Sequence, residues 1–270
     1  MLTTRIITAI IAILILVPTV IWGGVGGVVL LVAAFSCVAA WELSRCLEGI
    51  KTILGSLLTL FLGLVMVICF YRLPYVTLPA ALVFMPLVVL LIHLFLYSVI
   101  QKTIASTTQM IFVLGYAVIP ISHAILLARL DYGSAWVIFV LVVISLGDAS
   151  AYFAGKYLGK HRIPSEVSPS KTLEGYAGGV AGSFAGMLIM EVAAPGLPGV
   201  AVLAKLTLIL AIIGPLGDLC ASALKRRIGI KDFGGVMPGH GGVMDRADAL
   251  IFAFPVAFHF LFITGNAVMP

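Results

Sequence analysis

The chain has 270 residues, 62% of them hydrophobic and 10% charged, with a mean hydropathy of +1.21. Water-soluble domains hold roughly 45 to 50% apolar residues, so this composition excludes a soluble globular protein and places the chain in a bilayer. The formal charge of +5 rests on basic residues that flank apolar stretches, which argues against nucleic-acid binding by a soluble basic domain.

A helix crosses about 30 Å of hydrocarbon with about 20 mostly apolar residues. Nine such stretches follow in chain order: 5–22, 25–44, 52–70, 78–99, 108–128, 134–157, 175–194, 200–223 and 247–265. The first begins with Arg5 and ends in VPTVIWGG, which offers no small-x-small cleavage site, so it is read as an anchor rather than a cleaved signal. In the seventh, Gly178, Gly182 and Gly186 recur every fourth residue on one stripe, where a neighbouring backbone can come close. The expected fold is an all-α, polytopic integral membrane protein. Residues 1–130 supply five spans, and residues 131–270 supply four spans with polar interruptions at 158–174 and 224–246.

Cytoplasmic loops collect Lys and Arg. With nine spans and a cytoplasmic N-terminus, only Arg72, Arg129 and Lys205 of the 16 basic residues fall outside. That asymmetry predicts an external C-terminus and puts both polar interruptions on the cytoplasmic side of the plasma (inner) membrane. Cys37, Cys46, Cys69 and Cys220 form no C-x-x-C pair and are read as small apolar side chains. His93, His123 and His259 are read as satisfied helix residues, His161 as surface, and Tyr152 and Tyr176 as interfacial anchors.

Carboxylates within spans are costly unless paired, hydrated or bound to metal. Asp148 lies in ISLGDASAYFAGKYLG and Asp218 in GPLGDLCASALKRR. Helical spacing puts Asp218, Ser222 and Lys225 on one face, and Asp148, Tyr152 and Lys156 on another. Two carboxylates near the inner surface, close to basic loops, suit Mg²⁺, which takes one or two carboxylates with substrate phosphates and water. The run KDFGGVMPGHGGVMDRADAL, residues 231–250, adds glycines that bring backbone N–H groups to an anion, with His240 among them. Asp245 and Asp248 stand three apart at the mouth of the last span. Asp245 has an alternative role as the helix N-cap. Lys225, Arg226, Lys231 and Arg246 supply positive charge for phosphates. A cation- or proton-coupled transporter using Asp148 and Asp218 is the competing reading, although the acids gather toward one surface.

The pattern S-x-L-K-R-x4-K-D-x-G-x3-P-x-H-G-G-x-x-D-R-x-D, carried by Ser222, Leu224, Lys225, Arg226, Lys231, Asp232, Gly234, Pro238, His240, Gly241, Gly242, Asp245, Arg246 and Asp248, resembles the signature of the phosphatidate cytidylyltransferase family. The element SPSKTLEGYAGG, residues 168–179, is similar to a second motif of that family. Met237 stands where a branched aliphatic is expected. The resemblance covers residues 145–250 strongly and the first five spans only in hydrophobic character.

It implies a reaction of CTP with phosphatidate at the cytoplasmic face, dependent on Mg²⁺, and a homodimer among membrane lipids; any second cation site takes Mg²⁺ or a monovalent ion such as K⁺. It implies that Asp218 and Asp245 hold metal, with Asp148 and Asp248 as further ligands or their partners. Lys171, Lys225, Arg226 and Arg246 would contact phosphates, and His240 would donate to a phosphate oxygen. Lys231, Asp232, Gly241 and Gly242 complete the nucleotide loop, and Glu174 is expected to orient Lys171 from three residues away.

Overall fold

The computed structural model describes residues 2–48, 50, 52–96, 100–163, 171–236 and 241–266. Among the described residues the ordered structure is helical, apart from one isolated bridge between Arg162 and Thr172. The helices are α1 (Leu2–Cys46), α2 (Ile53–Arg72), α3 (Leu78–Leu96), α4 (Ile100–Val113), α5 (Ile119–Ala128), α6 (Gly133–Leu158), α7 (Leu173–Ala193), α8 (Val200–Ile228) and α9 (Asp248–Ile263). A π-helical turn over Leu114–Val118 joins α4 to α5.

The helices follow the apolar stretches, but the partition differs from nine separate spans. Among the described residues, 7 helices are long and apolar enough to cross a membrane. The expected spans 5–22 and 25–44 form the single helix α1, interrupted at Gly24 (φ 51°, ψ −138°). Glycine alone adopts that backbone readily, so the chain bends without a loop. The last stretch forms a helix of only 16 residues, roughly 24 Å at the usual rise, which is shorter than the hydrocarbon thickness.

At the other end of the expected loop 224–246, α8 runs on to Ile228 and stops at Gly229 in the left-handed region (φ 79°). Lys225, Arg226 and Arg227 therefore form the last turn of a helix, where cations offset the partial negative charge of free carbonyls.

Large apolar side chains cover much of the outer surface: Leu14, Trp22, Phe84, Phe95, Ile189 and Ile212 are all exposed. Such a surface is stable against lipid and not against water, and the chain is an integral membrane protein. The interior is filled by Trp136, Phe139, Phe70, Phe258 and the consecutive Ile125, Leu126 and Leu127 of α5. The tightest pair is α6 with α7. A Cβ at Gly178 would collide with that of Ala154, one at Gly182 would lie 2.5 Å from the Leu146 carbonyl, and one at Gly186 would lie 3.2 Å from Val143 Cα. The expected small-residue stripe thus meets α6 and holds it at backbone distance.

Candidate active site

Along the α6–α7 seam, on the side toward α8, the helices part around a cavity of about 630 Å³. Toward the N-terminal ends of α6 and α8 its lining is apolar, with Ile144, Leu210 and Ala211, and further along it carries Asp148, Asp218, Asp232, Asp245, Asp248, Lys156, Lys171, Lys225 and Arg246. Four of the five acids come from separate places in the fold: α6, α8, the 3₁₀ turn Met244–Arg246, and the first residue of α9. Gly147, Gly155, Gly175 and Gly179 line the cavity at the α6–α7 contact, where a Cβ at Gly147 would meet Ser183 Oγ and one at Gly179 would lie 3.2 Å from the Ala151 Cβ, and Tyr152 and Tyr176 stand on its wall.

Local structure explains each position. Thr172 caps α7 by accepting a hydrogen bond from Gly175 N at 3.1 Å. The preceding residues are tied to 161–163, because Ile163 N donates to Lys171 O (2.9 Å) and Leu173 N donates to His161 O (3.0 Å). Lys171 therefore projects from a fixed backbone, and its ammonium pairs with Asp218 Oδ2 at 2.7 Å while lying 5.8 Å from the Tyr176 ring centroid. Ser222 Oγ donates weakly to the other Asp218 oxygen at 3.5 Å, as expected from the shared stripe.

Lys225 leaves that stripe. Its ammonium pairs with Asp245 Oδ1 at 2.7 Å and sits 5.5 Å from the Phe233 ring. Asp245 is the most enclosed of the cavity acids, and its second oxygen accepts from Phe233 N (2.9 Å) and Gly242 N (3.0 Å). It does not cap α9: that helix starts after Ala247 without a side-chain cap, because Asp245 already belongs to the 3₁₀ turn before it. Asp248 opens α9 and accepts from Ala249 N at 2.8 Å.

Gly241 adopts φ 81°, and a Cβ there would lie 3.1 Å from Asp232 Oδ1 and 3.2 Å from Asp245 Oδ2. Glycine thus lets the loop turn between two carboxylates.

Other expectations resolve differently. Glu174 does not reach Lys171; its carboxylate binds the His161 ring at 2.5 Å and the His161 N–H at 3.2 Å. The segment bearing His161 folds back over the start of α7, so the nearest donor to Glu174 lies across a turn and not along its own helix. His161 remains exposed at its outer edge. Arg226 and Lys231 are exposed and lie off the cavity wall. Pro238 and His240 lie outside the described residues, as do Ser168, Pro169 and Ser170 of the second motif.

One buried acid escaped the reading of the sequence. Glu42, near the end of α1, is 4% exposed and accepts from Val243 N at 3.2 Å and Met244 N at 3.1 Å. Its signal was present: a carboxylate four residues before the end of a long apolar helix needs a partner. Its partner lies two hundred residues away, where no local spacing points.

The donor set suits a hard cation. All the cavity acids offer carboxylate oxygen, the ligand of Mg²⁺. Among the described residues no three of His, Cys, Asp or Glu converge tightly enough to cage an ion by themselves.

A helical membrane protein with acids and ammonium groups interleaved around a cavity that is apolar at one end is built to handle a charged group on an apolar molecule. The comparisons name the class. The model of the cytidylyltransferase family matches residues 3–264, and the chain belongs to that family. It is a nucleotidyltransferase. Over 131 residues it is 41% identical to the phosphatidate cytidylyltransferase of Bacillus subtilis, a match covering 48% of this chain and 49% of that one. Longer matches run to the phosphatidate cytidylyltransferases of Staphylococcus saprophyticus (31% identical) and Staphylococcus haemolyticus (32%), each covering 93% of this chain and 96% of the relative. Family membership sets aside the transporter reading of Asp148 and Asp218.

Proposed function

We propose that the protein is a phosphatidate cytidylyltransferase: CTP and phosphatidate give CDP-diacylglycerol and pyrophosphate. The observation that carries this reading is one cavity lined both by the apolar Ile144, Leu210 and Ala211 and by the carboxylates and ammonium groups of Asp148, Asp218, Asp245, Asp248, Lys171 and Lys225. A lipid phosphate and a nucleotide triphosphate, one confined to the bilayer and one excluded from it, meet at such a boundary.

A phosphatidate phosphate oxygen attacks the α-phosphorus of CTP in line. The new P–O bond forms as the bond to the β-phosphate breaks, and the electron pair leaves with pyrophosphate. The attacking oxygen is already anionic near neutral pH, so positioning and charge neutralisation carry the catalysis, and no strong base is required.

Lys171, Lys225 and Arg246 hold phosphates. The two lysines, paired with Asp218 and Asp245 in the free protein, turn toward the nucleotide as it enters. Asp218 and Asp245, supported by Asp148 and Asp248, hold Mg²⁺. When bound, the ion draws charge from the phosphate oxygens and lets two anions approach. Arg226 and Lys231, exposed outside the cavity, attract the triphosphate electrostatically, the turn at Gly241 and Gly242 holds Asp245 beside it, and His240 donates to one of its oxygens.

The excess of basic residues at this end of the molecule supports a site at the cytoplasmic face of the plasma membrane. Assembly as a homodimer through membrane helices, and a K⁺ ion in any second cation site, belong to the same proposal.

The test is transfer of label from the α-phosphate of CTP into extractable lipid by the purified protein in detergent. Label appears only with phosphatidate and Mg²⁺ together, and chelation by EDTA stops it. An inserted, folded sample that transfers none refutes the proposal.

A further inference from the structure

The motif residues lie in the C-terminal half of the chain, yet α1 reaches the loop that carries them at several points. Glu42 presents one carboxylate oxygen to Val243 N and the other to Met244 N. Those amides begin the 3₁₀ turn Met244–Arg246, which carries Asp245 and Arg246. One turn further along α1, Cys46 Sγ lies 3.4 Å from Phe233 O, and the Phe233 N–H is one of the donors to Asp245. The loop is shaped to receive the carboxylate: a Cβ at Gly242 would sit 2.5 Å from Glu42 Oε2, and one at Gly234 would overlap the carboxyl group. Both glycines are needed for this approach.

Packing alone does not call for an acid here. An apolar side chain would fill the same space without the cost of a buried charge, but it would leave two enclosed N–H groups without acceptors. What the carboxylate adds is a pair of acceptors that fix the amides opening the turn.

We propose that Glu42 is a positioning residue for the reaction: it sets the 3₁₀ turn so that Asp245 and Arg246 face the cavity, and so makes α1 part of the catalytic apparatus. The assignment rests on the cytidylyltransferase reading above. Glu42 touches no substrate and acts through the Val243 and Met244 amides.

The test compares Glu42→Gln and Gly234→Ala with Leu43→Ala, a neighbouring core residue that is fully buried and off the loop. Glutamine keeps one acceptor and turns an NH₂ toward the second backbone N–H; alanine at 234 pushes the carboxylate away. Both variants lose hydrogen-exchange protection at Val243 and Met244 in the nucleotide-free protein. Their kcat falls roughly 10 to 100-fold, the range seen when a partner that orients a ligand residue is removed. They also need more Mg²⁺ for half-maximal rate, while KM for phosphatidate holds. Leu43→Ala lowers thermal stability but leaves loop protection and the Mg²⁺ requirement unchanged.

Wild-type exchange and Mg²⁺ requirement in a folded Glu42→Gln protein overturn the assignment. So does an equal response from Leu43→Ala. Failure of both loop variants to fold makes Glu42 a residue of the fold alone and overturns it too. A wild-type protein that transfers no label condemns the underlying reading of the reaction instead, whatever the variants do.

Discussion

Asp218→Asn and Asp245→Asn should both abolish label transfer and yet differ sharply in stability. Asp245 is held by three donors, Lys225 at 2.7 Å, Phe233 N at 2.9 Å and Gly242 N at 3.0 Å, with its side chain 3% exposed. Asparagine keeps one acceptor oxygen and must turn its NH₂ toward an ammonium or an amide N–H. Removing one partner of a buried pair costs about 3–5 kcal/mol. Lys225, 16% exposed, can swing partly toward water, which puts the loss near the lower end, about 3 kcal/mol.

In a chain of this size each 1 kcal/mol moves Tm by roughly 2–4 °C. Asp245→Asn should therefore lower Tm by roughly 6–12 °C while the protein remains inserted and folded. Asp218 is 43% exposed and its partner Lys171 23%. An ion pair so open to solvent is worth about 0–1 kcal/mol, so Asp218→Asn should shift Tm by less than about 4 °C. Thermal unfolding of the two variants side by side in one detergent, with wild type as reference, reads the difference. Equal shifts would refute the enclosed clamp around Asp245, and substantial transfer by either variant would refute its role as a metal ligand.

Lys171→Met should raise the KM for CTP by about tenfold or more, since a hydrogen bond to a charged group contributes about 1.5–3 kcal/mol; an unchanged KM in steady-state assays removes Lys171 from the phosphate site. Gly182→Val should destabilise the α6–α7 pair by about 1–3 kcal/mol through overpacking. Gly186→Ala, whose Cβ would meet Val143 Cα at 3.2 Å, should be milder, and thermal unfolding that ranks them the other way contradicts the packing. Glu174→Ala should raise the KM for CTP a few-fold with little change in kcat, because it frees the His161 segment that ties down the Lys171 backbone. A fall in kcat with KM unchanged would give Glu174 a different part.

The membrane class, the helical fold and the family motif were legible in the sequence because each is a local property. Runs of about 20 apolar residues make helices wherever lipid is the solvent. A motif as long as the one from Ser222 to Asp248 carries its chemistry in its spacing. The glycine stripe at Gly178, Gly182 and Gly186 announced a close helix neighbour but could not say that it is α6. Helical periodicity likewise placed Lys225 beside Asp218, and the fold sent it to Asp245 instead. The same rule offered Glu174 to Lys171, and the chain gave Glu174 to His161 and Asp218 to Lys171.

Periodicity orders residues on one helix. Which faces meet, and which buried charge finds its counterpart, depends on how helices pack. That information is spread over the whole chain. Glu42 shows the consequence most plainly: its two partners lie at Val243 and Met244, and only the tertiary structure brings them to it.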